Sequence, residues 1–338
     1  MFSTDLAIDL GTANTVVFAR DHDIVVNEPT IVAVRTDDHT IIAAGREAKA
    51  MLGRTPEHLA TIRPVRDGVI ADFDLTVQML QRFIARAPGR RRAFVRPHVV
   101  VGVPSGTTEV ERRAVRDSAR QAIGREVFLV EHAAAAALGA GLPVHEPGGN
   151  LIADIGGGTT EVAVISLSGT VHCESVRIAG DEMDEAIVQW VKRHYNLLIG
   201  ERQAEAIKIA LASATPGAGA PRTMPVKGRD LVDGIPKTIV LGDGEVREAI
   251  REPLATIVET VRACLERIPP ELAADIVDAG LLLTGGGALV RGLDELLREE
   301  TALPVAVVPD PLGCVARGAG QMLDDLALLR RVAVTVGA

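Results

Sequence analysis

Aromatic residues are nearly absent: one Trp, one Tyr and six Phe make up 2% of the 338 residues. The core must therefore be aliphatic. With 47% apolar residues the chain suits a buried sheet covered by helices. Cysteine is scarce too. Cys173, Cys264 and Cys314 stand far apart without a CxxC pair, which excludes a zinc ribbon and fits reduced, buried thiols. No apolar run reaches the ~18–20 residues that span a bilayer. Met1 to Asp5 lacks a basic region followed by an apolar run, so no signal peptide is expected and a cytoplasmic location is, with a membrane surface still open to the protein. GxxxxGK[ST], HExxH and GxSxG are all missing, which removes support for P-loop, metalloprotease and hydrolase-elbow chemistry. A net charge of −9 argues against a general nucleic-acid binder.

What is present is a repeat. Residues 6–18 read LAIDLGTANTVVF and residues 151–163 read LIADIGGGTTEVA. Aligning Asp9 with Asp154 also aligns Gly11 with Gly156 and Asn14 with Thr159. Each segment is an apolar run ending in Asp, a Gly/Thr-rich turn, and a second apolar run: strand, tight turn, strand. The offset of 145 residues is domain-sized, too long for a solenoid repeat. Two similar halves are therefore expected, each opening with the same hairpin.

Strand-like runs near 5–10, 15–20, 30–34, 98–103 and 126–130 alternate with helical patterns near 73–86, 108–122 and 131–140. The second half gives strands near 151–155, 160–166, 171–178 and 281–284, and helices near 181–195, 201–213 and 246–268. The alternation indicates an α/β fold. The boundaries expected are a first domain over 1–140 with a small insertion at about 33–66, a linker over 141–150 (GLPVHEPGGN), a second domain over 151–330 with a small subdomain at about 181–242, and a tail over 331–338.

A Gly/Thr turn between strands points several backbone N–H groups the same way, and such a nest binds phosphate. Thr12, Asn14, Thr159 and Thr160 add side-chain donors. Asp9 and Asp154, at the strand ends, can hold Mg²⁺ through water. One such hairpin is as readily an ordinary turn; two at domain spacing would grip a triphosphate from both sides. A third glycine cluster, LLLTGGGALVRGLDELL, fails GxGxxG because Val290 takes the third glycine position, which disfavours a Rossmann site.

The two hairpins and TGGG together resemble the actin/Hsp70/sugar-kinase superfamily. The stretches IDLGTANT, VVNEPTIVAV, RPVRDGVIADF, VVVGVPSG, ADIGGGTTEVAVISL, RIAGDEMDEAIV, IGERQAEAIK, PPELAADIVDAG and LTGGGALVRGLDELL are similar to the MreB/Mbl family of bacterial actin homologues along nearly the whole chain. The resemblance implies an actin-like (RNase H-like) fold, with a nucleotide cleft between duplicated domains. It also implies ATP and Mg²⁺ as cofactors, self-assembly into filaments at an anionic membrane surface, and partnership with cell-wall morphogenesis membrane proteins, without nucleic acid.

By the same resemblance Asp9, Gly11, Thr12, Ala13 and Asn14 match the first phosphate loop, and Asp154 with Gly156, Gly157, Gly158, Thr159 and Thr160 the second. Glu205, Ala206, Ile207 and Lys208 match the helix beside adenosine. The spacing of Glu205 and Lys208 places both on one face, where an ordinary solvated pair would also fit. Gly285, Gly286, Gly287 and Ala288 match the loop beside the nucleoside and α-phosphate. One departure stands out. Where the family reads Glu-Glu-Pro, this chain reads Glu131-His132-Ala133. His132 takes the place of the Glu that positions the attacking water, with Glu131 and Asp154 beside it in the expected catalytic set. Hydrolysis needs a group that orients water in line with the γ-phosphate. A neutral His can accept a proton but has a different length and geometry, so slow or altered hydrolysis is expected.

The segment 87–100, APGRRRAFVRPHVV, sets Phe94 and Val95 among arginines including Arg91 and Arg92. An apolar tip ringed by arginines suits a bilayer interface, at roughly 1 kcal/mol per arginine against anionic lipid, and matches a membrane-contact loop of the family. A solvated turn over a buried Phe94 is the alternative. Three functions compete: a polymerising scaffold with slow ATPase activity, a nucleotide-binding adaptor that does not hydrolyse, and a small-molecule kinase of the same superfold. The long family-like stretches favour the first.

Overall fold

The computed structural model describes residues 5–86, 98–123, 126–217, 220–324, 329 and 333–334. The first half contains β1 (Leu6–Leu10), β2 (Asn14–Ala19), β3 (Asp23–Pro29), β4 (Val32–Arg35), β5 (Ile41–Ala44), α1 (Arg46–Met51), β6 (Leu59–Ile62), β7 (Val65–Arg66), β8 (Val69–Ile70), α2 (Phe73–Ile84), β9 (Val99–Val103), α3 (Glu109–Ile123), β10 (Val127–Glu131) and α4 (His132–Gly139). The second contains β11 (Asn150–Ile155), β12 (Thr160–Ser166), β13 (Gly169–Val176), α5 (Gly180–Tyr195), β14 (Leu197–Leu198), α6 (Glu201–Leu211), β15 (Thr223–Asp230), β16 (Pro236–Gly242), α7 (Asp243–Ala249), α8 (Arg251–Glu266), α9 (Pro270–Ala279), β17 (Leu281–Thr284), α10 (Leu293–Thr301), β18 (Val305–Val307) and α11 (Cys314–Met322).

The duplication is structural. One five-stranded sheet runs β10-β9-β1-β2-β3 and the other β13-β12-β11-β17-β18, so β1 corresponds to β11, β2 to β12 and β9 to β17. The senses agree as well: β1–β2 and β11–β12 are antiparallel, β1–β9 and β11–β17 parallel. Asp9 pairs with Val16 in one sheet and Asp154 with Glu161 in the other. The strands are aliphatic on both faces, as in β9 (VVVGV), buried throughout. This is the pattern of a sheet covered by helices on each side.

The apolar core has three main parts. One lies between the first sheet and α2 and α3, a second beneath the second sheet. The third joins them: Ala7, Val100 and Val130 of the first sheet and Ile152, Ala163 and Ile165 of the second enclose the alanines of α4 with Val315, Ala319 and Met322 of α11. Although α11 follows the second sheet in sequence, it packs against β1, β2 and β9. The chain therefore passes between the halves twice, over 140–149 and over 308–313. Where α4 and α11 cross, their backbones touch. A Cβ on Gly139 would sit 2.0 Å from Cys314 O, and one on Gly318 would sit 1.8 Å from Ala135 O.

Two smaller sheets, β5-β4-β6 and β14-β15-β16, complete the two halves. The expected helix over 246–268 is two helices, α7 and α8, broken at Ile250. Pro253 lies in the first turn of α8, where its missing N–H costs nothing. Among the described residues no helix is long and apolar enough to cross a membrane.

Candidate functional site

The ends of β1 and β11 meet at a cleft of about 510 Å³ lined by both halves. Each hairpin closes its turn in the same way. Gly11 N–H donates to Asn14 O at 3.1 Å, and Gly156 N–H to Thr159 O at 2.8 Å. The turns abut: a Cβ on Gly157 would lie 2.6 Å from Ala13 Cβ, and one on Gly158 would lie 2.8 Å from Thr12 Oγ1. Only glycine allows this approach. A third turn, at Asp67 and Gly68 between β7 and β8, wedges in beside them. Gly68 N–H donates to Thr12 Oγ1 at 2.9 Å, and Gly68 takes φ 75°.

Asp9, Gly11, Thr12, Ala13, Asn14, His132, Asp154, Gly156, Gly157, Gly158, Thr159, Glu205, Lys208, Gly285, Gly286 and Gly287 all line this cleft. The other expected residues do not. Thr160 is buried and donates its hydroxyl to Ile178 O at 2.7 Å. Ile207 and Ala288 belong to the core of the second half, and Ala206 points to solvent. Glu131 turns to β13, where Thr170 Oγ1 donates to it at 2.8 Å. Arg91, Arg92, Phe94 and Val95 lie outside the described residues.

His132 opens α4 and is buried, with 6% of its surface exposed. Its ring lies against Gly102, where a Cβ would come within 2.6 Å of His132 Cδ2. Nε2 has no hydrogen-bond partner and stands 3.5 Å from Asp9 Oδ1. Burial lowers the imidazole pKa, opposed by the Asp154 charge, so the ring is uncharged at neutral pH. Burial lifts the Asp9 carboxyl to about 7. It lifts Asp154 to about 6, with His132 opposing the rise and Asp9 adding to it. Buried acids of this kind gain from a nearby cation, and their oxygen donors suit a hard divalent ion that keeps much of its water. Among the described residues no group of three or more His, Cys, Asp or Glu is spaced to bind a metal directly.

Lys208 does not stand free: Nζ donates to Gly180 O at 2.6 Å and to Asp184 Oδ2 at 2.8 Å. Gly285 takes φ 79°, and a Cβ there would meet Ile155 O at 2.3 Å. This seats the TGGG loop against the end of β11. Sequence reasoning gave no role to Lys49, Arg63, Gly68, Asp181 or Asp184, all of which line the cleft. Gly68 and Arg63 fall in RPVRDGVIADF and the two aspartates in RIAGDEMDEAIV, stretches whose signal was present without a chemical meaning attached.

Glu161, next to Asp154 across the strands, is fully buried. Its Oε1 accepts from Ser105 N–H at 2.6 Å, while Oε2 has no partner. Burial raises its pKa from 4.5 to about 8. Between those two values the unfolded chain loses this proton while the folded protein keeps it, so the stability contributed at low pH is lost as pH rises. Glu161→Gln should flatten this part of the profile of melting temperature against pH. An unaltered slope would mean that Glu161 is already ionised in the fold.

The MreB/Mbl protein family model matches residues 3–331 of the chain. The chain is 54% identical over 328 residues to the cell shape-determining protein MreB of Escherichia coli (strain K12), covering 96% of this chain and 94% of that protein. It is 46% identical over 326 residues to the cell shape-determining protein Mbl of Bacillus subtilis (strain 168), covering 96% and 97%. Among solved structures, MreB5 of Spiroplasma citri bound to ADP superposes with a TM-score of 0.90 at 34% identity, covering 97% of this chain and 98% of that one. The same protein bound to AMPPNP also gives 0.90.

Proposed function

Since the chain belongs to the MreB/Mbl protein family, we propose that it is a nucleotide-binding, filament-forming protein of the bacterial cytoskeleton, working in cell shape. The observation that carries this reading is the pair of equivalent hairpin turns, closed by Gly11–Asn14 and Gly156–Thr159 bonds, that abut across one cleft. Relatives named for cell-shape determination, and a neighbour structure that holds ADP or AMPPNP, support it.

In this reading ATP lies with its phosphates between the turns at 11–14 and 156–159, whose N–H groups not spent on closing the turn would donate to them. Mg²⁺, when bound, neutralises phosphate charge; Asp9 and Asp154 would hold it through water. Lys208 and Glu205 border the nucleoside end, and Gly285 and Gly287 allow it to approach the backbone. His132 would orient water, and the length and geometry that set it apart from glutamate make hydrolysis slow. A ligand touching both halves favours their closure, and closure favours a head-to-tail contact that does not close on itself, which is the geometry of a filament. Arg91, Arg92, Phe94 and Val95 would bring the polymer to an anionic membrane, each weak contact multiplied by assembly, where it organises cell-wall synthesis together with membrane partners.

A second reading, a nucleotide-binding adaptor that does not hydrolyse, is favoured by one observation: His132 Nε2 is buried without a hydrogen-bond partner. Co-pelleting with anionic vesicles and Mg·ATP, with phosphate release followed in the same sample, separates the two. Assembly above a critical concentration with slow phosphate release is expected. Tight ATP binding without assembly would favour the adaptor.

A further inference from the structure

Two basic side chains of the first half reach across the cleft mouth to acids of the second. Lys49, on α1, meets Glu205 of α6 at 2.7 Å. Arg63, just after β6, meets Glu201 at 2.5 Å and Asp181 at 3.7 Å, at the starts of α6 and α5. These pairs are partly exposed: the Arg63 side chain is 18% exposed against 49% for Glu201 and 30% for Asp181, and those of Lys49 and Glu205 are 31% and 26%. Screening by salt is therefore incomplete but present. Both cations belong to the first half, far from the α4–α11 crossing in the chain, and their partners lie on the facing wall.

We propose that Lys49 and Arg63 form an ion-pair latch across the mouth of the cleft, and that nucleotide enters and leaves only when both pairs break. This rests on the nucleotide reading above and adds to it a gate whose strength is set by charge. A latch differs from a residue that merely touches the ligand. Breaking a latch speeds entry and exit together and leaves affinity nearly unchanged. Losing a ligand contact speeds exit alone and weakens affinity.

The test uses a fluorescent ADP, the N-methylanthraniloyl derivative, with the full chain kept below its assembly concentration and its binding and release followed by stopped flow. Lys49→Ala with Arg63→Ala should raise both rates about tenfold, as expected for the loss of two partly screened pairs, with Kd moving less than about threefold. Raising the salt concentration should speed both steps in the original chain and have little effect on the double variant. Arg63→Glu should act in the same direction, and adding Glu201→Arg should restore slow exchange by rebuilding the pair with its charges reversed. Circular dichroism confirms that each variant is folded. Unchanged rates, faster release alone, or no recovery in the reversed pair would overturn the latch while leaving nucleotide binding in place. Failure of the original chain to bind the ADP derivative at all would overturn the nucleotide reading itself.

Discussion

Replacing His132 by glutamate should speed phosphate release from the assembled protein by about a hundredfold, the lower end of what a well-placed general base contributes. The argument rests on reach and charge. Phosphoryl transfer to water asks little of a protein beyond placing the water and stabilising charge. His132 has one nitrogen facing the acids, Nε2, 3.5 Å from Asp9 Oδ1 and otherwise without a partner. Its ring is held against Gly102, with no room for a side chain there. A glutamate extends further and offers two acceptor oxygens. It also adds a negative charge beside carboxyls that burial already holds at about 7 and about 6, so the faster variant should depend more steeply on Mg²⁺. His132→Ala is the companion measurement. If the imidazole orients water at all, the alanine protein falls below the original rate. Equal release from the His and Glu proteins would remove His132 from the reaction.

Gly318→Ala should be the most damaging single methyl group among the described glycines. Its Cβ would lie 1.8 Å from Ala135 O and 2.7 Å from Gly139 N. Both are backbone atoms, so no rotamer change relieves the clash, and α4 and α11 must part. Overpacking of this kind costs about 1–3 kcal/mol and occasionally more. At the upper end, with roughly 2–4 °C per kcal/mol for larger domains, the melting temperature should fall by roughly 6–12 °C. Gly217→Ala is the control: nothing lies within 4 Å of a Cβ there, so it should melt with the original protein. Equal melting of the two variants would mean that the crossing is looser than its glycines imply.

The repeat was legible because its information is local. Each hairpin is fixed by a turn of four residues, and the two turns carry the same Asp, Gly and Thr/Asn signals, so alignment alone paired Asp9 with Asp154. Strands with continuous aliphatic runs, such as β9 and β17, were equally plain. The hairpin of β15 and β16 was not: only Val226 and Asp230 are buried along β15, and the inward positions after Val226 carry Gly228 and Asp230, so the apolar alternation stops there. CVARGAGQM, with two glycines in nine residues, carried no helix signal, yet it forms α11, because Gly318 and Gly320 leave room for α4 and Phe18 and packing outweighs their weak helix propensity. Lys49 and Arg63 could not be read at all as residues of the cleft wall. The partner of Lys49 lies 156 positions away, and no periodicity joins them. Glu131 stood in the expected catalytic set, but the roughly 100° turn between successive helix positions sends its side chain to Thr170 and away from His132.

The two connections between the halves, over 140–149 and over 308–313, have a mechanical consequence. A single tether would act as a ball joint, free to swivel and twist. Two tethers meeting at helices whose backbones touch act as a door hung on two pins, which turns about one line and resists every other motion. The hydrophobic packing between α4 and α11 is the pivot, and His132 sits at its edge, on a short lever arm. A rotation about that line displaces each residue in proportion to its distance from it, so one too small to disturb the packing around His132 still moves the parts of each half that lie farther away.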